Sequence, residues 1–111
     1  MLRTLKDQEL ELIRRCIIAA KDRIGGGYYS RIGIRKSEAD AILQRWPLIA
    51  KFYSQESCGI ELLSYNSLNE VLHGVRISEE EIIEEIGASS GELSEILERW
   101  RRNCISPNRP Q

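Results

Sequence analysis

Residues Ile32 to Trp46 read IGIRKSEADAILQRW, and residues Ile86 to Trp100 read IGASSGELSEILERW. Aligned at a constant offset they share Ile32/Ile86, Gly33/Gly87, Glu38/Glu92, Ile42/Ile96, Leu43/Leu97, Arg45/Arg99 and Trp46/Trp100. Both tryptophans of the chain end a copy. Similarity at a long fixed spacing points to one supersecondary unit used twice, each copy burying the apolar face of the other. On this reading Trp46 and Trp100 are expected in equivalent, largely buried places.

Working outward, each copy has a start signal. Ser37 with Asp40 opens a helix expected to run to Trp46, burying Ala39, Ile42 and Leu43. Pro47 disfavours helical geometry at Trp46 but suits the first turn of a new helix over Leu48 to Tyr53. In the second copy, Ser78 and Glu81 form a capping box, Gly87 terminates that helix, and Ser89 with Glu92 opens the last one. Glu79 to Glu98 thus has the spacing of a helix-turn-helix, with Ile82, Ile83 and Ile86 on its first helix and Leu93 and Ile96 on its second.

The remaining segments follow the same logic. Thr4 and Asp7 resemble a helix start, after which Leu10, Ile13, Cys16, Ile17, Ala20 and Ile24 recur at helical spacing. The Gly25-Gly26-Gly27 run is expected to end this helix by a left-handed turn, leaving Tyr28 to Ile34 as a linker or short extended piece. From Ile60, apolar Leu63, Leu68, Val71, Leu72 and Val75 predict a helix to Gly74, with a strand over Ile60 to Tyr65 as the alternative. The fold class is therefore all-α: a compact bundle of five to six short helices with an internal pseudo-repeat, its second copy helix-turn-helix-like. One domain over 1–102 and a flexible tail over 103–111, with Pro107 and Pro110, are expected.

At 111 residues, 41% hydrophobic and 30% charged, the chain can bury a modest core. No apolar run is long enough to span a bilayer, and the acidic, polar MLRTLKDQELE start argues against a signal peptide. Cys16, Cys58 and Cys104 are odd in number and widely spaced, which suits reduced thiols in a cytoplasm. The net charge of −1 conceals segregation: residues 1–59 hold eleven Lys and Arg against seven acids, and residues 60–98 hold ten glutamates against Arg76 alone. Such a layout expects a basic protein partner on the acidic part, or head-to-tail self-association.

Three constellations bear on function. The groove-facing positions of the helix-turn-helix are Ser89, Ser90, Gly91, Ser94, Glu95 and Glu98, behind a helix crowded with glutamate. Phosphate contacts need Lys or Arg, so DNA binding is not expected from this unit. Tyr28, Tyr29, Arg31, Arg35 and Lys36 in the first copy combine aromatic and basic side chains suited to nucleic-acid contact. Asn66, Asn69, Glu70 and His73 form a polar helical stripe, the expected interface to a protein partner or a homodimer's second subunit. Glu70-x-x-His73 is half of a di-metal motif, but one histidine cannot complete it, so neither metal nor other cofactor is expected. The triple glycine lacks the Gly-Lys-Ser or Gly-Lys-Thr of a phosphate loop. With no assembled catalytic set, the sequence predicts a small non-enzymatic cytoplasmic module acting through protein–protein contacts, the competing reading being a nucleic-acid-binding regulator built on the basic first half.

Overall fold

The computed structural model describes residues 2–52 and 58–104, the side chains of residues 58, 103 and 104 excepted. Its central element is α1 (Asp7–Arg23), made by the three-and-four spacing of Leu10, Ile13, Cys16, Ile17 and Ala20, all buried. The helix opens at Lys6, whose backbone N–H donates to Glu9 Oε1 at 3.0 Å, rather than at Thr4. Before it, a 3-10 turn over Leu2–Thr4 drops Leu2 into the core. Its C-cap, Ile24, is extended and buried. The glycine run acts one step later than expected. Gly27 takes the left-handed conformation (φ 85°) as the N-cap of α2 (Tyr28–Ile32).

That helix corrects the expected linker. Tyr28 and Ile32 lie one turn apart, so helical geometry buries both on one face, which an extended segment would not do. The segment after Ile60 is likewise helical, not a strand: α5 (Cys58–Asn69) continues into a π-helical turn, Glu70–Gly74, closed by Val75 N–H donating to the Glu70 carbonyl at 2.8 Å. With α3 (Lys36–Gln44), α4 (Leu48–Phe52), α6 (Glu79–Ile86) and α7 (Ser90–Cys104), the described residues hold seven α-helices, more than the five to six expected, and no strand. The last helix takes in Asn103 and Cys104, expected in the tail; residues 105–111 lie outside the described residues, as does Tyr53.

The two similar stretches share local geometry and then part. α2 ends on Gly33 (φ 101°) and α6 on Gly87 (φ 88°), positions a side chain would strain. Next comes a buried residue, Ile34 or Ala88. Then a glutamate accepts a backbone N–H three residues before it: Arg35 to Glu38 at 3.0 Å, Ser89 to Glu92 at 3.4 Å. The ends differ. Trp100 lies inside α7, 1% exposed, with its ring edge-on to Tyr65 at 5.7 Å. Trp46 lies beyond the end of α3, half-buried, its Nε1–H donating to the Leu10 carbonyl at 3.1 Å. Pro47 accounts for the difference, since a residue before proline avoids helical geometry. The tryptophans are therefore not in equivalent, equally buried places.

α1 packs along α5, where fully buried Ser64 and Ser67 permit close approach, and also meets α3 and α6. α6 and α7 form a helix-turn-helix joined through Gly87–Ser89, with Ile82, Ile86, Ala88, Leu93, Ile96 and Leu97 buried at and around the crossing.

Candidate functional site

Ion pairs from three residues of α1 fix how the charged helices stand on it. Lys21 Nζ meets Asp40 Oδ1 of α3 at 2.5 Å, and Arg23 meets Glu85 of α6 at 2.6 Å and Glu81 at 3.5 Å. At about 100° per residue, Lys21 and Arg23 project roughly 160° apart. Asp7, which pairs with Lys51 of α4 at 2.6 Å, projects within roughly 40° of Lys21. So α3 and α4 occupy one flank of α1 and α6 the other.

The acidic flank is built by α6. Its start is a complete capping box: Ser78 N–H donates to Glu81 Oε1 at 3.0 Å, and Glu81 N–H donates to Ser78 Oγ at 3.1 Å. Ile82 and Ile86, four apart, turn inward. Ile83, one position on, projects about 100° from Ile82 and is 52% exposed. It was expected at the helix crossing, and it instead stands on the surface. Around it the glutamates divide into two groups. Glu79 Oε2 accepts from Ser90 N–H at 2.9 Å, while Glu81 and Glu85 hold Arg23. The bond from Ser90 holds the Glu79 carboxyl below its ordinary pKa, and the Ser78 backbone bond does the same for Glu81. Glu80 and Glu84 have no hydrogen-bond or ion-pair partner among the described residues, and they stand together on one side of Ile83, about 60° and 100° round the helix from it.

Between the start of α1 and α7 lies an open cleft of about 250 Å³ with Leu12 and Ile96 in its lining. Glu9 pairs with Arg99 at its edge, and Glu95 lines it without a partner among the described residues.

The polar stripe is partly turned inward. Asn66 Nδ2 donates to the Ile32 carbonyl at 2.7 Å, satisfying an end of α2. Glu70 is paired with Arg31, its carboxylate folded over Gly74. Asn69 is half-buried and His73 exposed. Thus Asn66 and Glu70 join α5 to α2 within the chain. Among the described residues, no group of three or more His, Cys, Asp and Glu is placed to hold a metal ion.

The aromatic and basic set is also divided. Tyr28 is buried, with Lys36 Nζ 5.6 Å from its ring centroid, so its face is not open for stacking. Burial pushes its hydroxyl up to about 12, with Asp40 adding to the shift. Arg31 is held by Glu70. Tyr29 (59% exposed), Arg35 and Lys36 remain on the surface.

The sequence does not show that Ile83 is exposed. No local signal separates it: Ile82 and Ile83 lie about 40° and 60° from Ile86, within one ordinary apolar stripe. No helix of the described residues is long and apolar enough to cross a membrane. Set against family models, curated proteins and solved structures, the chain matches none of them.

Proposed function

We propose that the chain is a small, non-enzymatic cytoplasmic interaction module that presents α6 to a basic protein partner. The observation that carries this reading is Ile83, exposed beside Glu80 and Glu84 on a helix whose other glutamates are engaged within the chain. Burying an aliphatic side chain of this size at an interface contributes about 1.5–3 kcal/mol. The adjacent carboxylates steer and select a basic surface.

The test is fluorescence anisotropy with a labelled amphipathic peptide carrying lysines beside leucines, and with a glutamate-for-lysine control peptide. The native protein should bind the basic peptide alone, more weakly as salt rises. Ile83→Asp and the pair Glu80→Lys, Glu84→Lys should each abolish binding. Equal binding of both peptides, or no effect of these substitutions, overturns the reading.

A second reading, nucleic-acid contact, draws on the exposed Tyr29, Arg35 and Lys36. Anisotropy with single-stranded and duplex DNA separates it: binding lost in Arg35→Glu with Lys36→Glu and weakening steeply with salt supports it.

A further inference from the structure

We propose that the chain associates head to tail with further copies of itself, the α6 surface around Ile83 of one copy seating on the α3–α4 surface around Arg45 and Leu48 of the next. The inference rests on the reading of α6 as a docking face and names its occupant. Three observations carry it. Both surfaces expose large apolar side chains: Ile83 at 52% on one, and Leu48 at 65% and Phe52 at 78% on the other, the last two one turn apart on α4.

Both surfaces also carry charge unanswered within the described chain. Glu80 and Glu84 lie beside Ile83, and Arg45 lies a turn before Leu48, with no acidic partner on its guanidinium among the described residues. Third, the ion pairs of Asp7 and Lys21 on one side of α1, and of Arg23 on the other, set these surfaces on opposite flanks. A twofold dimer through either surface would set like charge against like. Only a heterologous contact brings glutamate to arginine, and such a contact repeats from copy to copy.

The experiment is sedimentation equilibrium on the full chain over a wide concentration range. The native mass should rise with concentration and fall with added salt. Glu84→Arg and Arg45→Glu should each weaken self-association by about tenfold or more, since each sets like charges face to face. Among the described residues neither side chain makes a hydrogen bond or an ion pair, and far-ultraviolet circular dichroism verifies that both variants stay helical. Mixed in equal amounts, the two variants should associate again, because the native Glu84 of one meets the native Arg45 of the other and the two reversed positions also carry opposite charges. A twofold dimer would respond to one reversal and not to the other; that result overturns the proposal. A native protein monomeric at every concentration overturns it too. If such a monomer still binds the basic peptide, α6 docks a different partner; if it does not, the reading of α6 fails as well.

Discussion

Glu70, the first residue of the π-helical turn, folds its carboxylate over Gly74 and onto the guanidinium of Arg31 in α2. The Glu70 side chain is only 12% exposed. A methyl group at Gly74 would fall on its carboxylate, so the glycine and the ion pair belong to one arrangement. Glu70→Ala should cost about 1 kcal/mol, the upper end for a partly exposed pair. Gly74→Ala should cost a similar amount by displacing the carboxylate. The double variant should be no worse than either single one, because both remove the same contact. Urea denaturation measures the three values. Hydrogen exchange should localise the loss of protection to Tyr28–Ile32.

The two tryptophans should separate in the same assay. Trp100 is 1% exposed and packed edge-on against Tyr65, so Trp100→Ala removes a large core volume and should cost about 3–5 kcal/mol. Trp46 is half-buried, and its distinctive contribution is one hydrogen bond to the Leu10 carbonyl. Trp46→Phe should cost about 1 kcal/mol. Equal losses at the two positions would restore the equivalence that the sequence repeat leads one to expect.

What was legible in the sequence was the local signal. Ser78, Glu81 and Gly87 define both ends of α6, and Ser89 with Glu92 marks the start of α7. These are contacts within three or four residues, which spacing encodes directly. The helix Tyr28–Ile32 escaped notice because it has five residues and no side-chain cap, and it gains its stability from burying Tyr28 and Ile32. The exposure of Ile83 has a related cause: helical spacing sets it in the same stripe as Ile82 and Ile86, and only the packing of α6 on α1 and α7 decides which side is covered. Arg23 with Glu85, and Asn66 with the Ile32 carbonyl, join residues distant in sequence. No local pattern announces such pairs. In the same way, nothing local in Asn66 and Glu70 shows that α2 lies beside them.

The glycines should rank by backbone conformation. Gly33 and Gly87 have φ values of 101° and 88°, so alanine at either should cost about 1–2 kcal/mol. At Gly33 the new methyl would also meet the Leu62 side chain, which is 41% exposed and has room to swing away. Gly25 has no positive φ and nothing near its missing side chain. Gly25→Ala should therefore be neutral or stabilise by about 0.4–1 kcal/mol, through the unfolded chain. Thermal denaturation of the three variants tests the order; a Gly25 variant as damaged as the other two would contradict it.

Stability should also fall on one identifiable limb in acid. The Glu11 carboxylate accepts from Arg14 Nε at 3.0 Å and Nη2 at 2.7 Å, and from Arg15 Nε at 2.9 Å. The Arg14 bonds, helped by Arg15 and opposed by burial, bring its pKa down from 4.5 to about 2. At Glu9 burial pushes upward, but the Arg99 guanidinium and the Lys6 backbone N–H outweigh it, and its pKa too is lowered. A carboxyl whose folded pKa is depressed stabilises the fold fully above its unfolded value and loses that contribution as pH falls through the folded one. For Glu11 the window runs from about 4.5 down to about 2. Its side chain is 41% exposed, so screening should hold the contribution to about 1 kcal/mol or less. Urea midpoints across that window should therefore drop more steeply for the native chain than for Glu11→Gln, and the gap should narrow in high salt. Parallel curves would mean that the Arg14 and Arg15 bonds add nothing to folding in water.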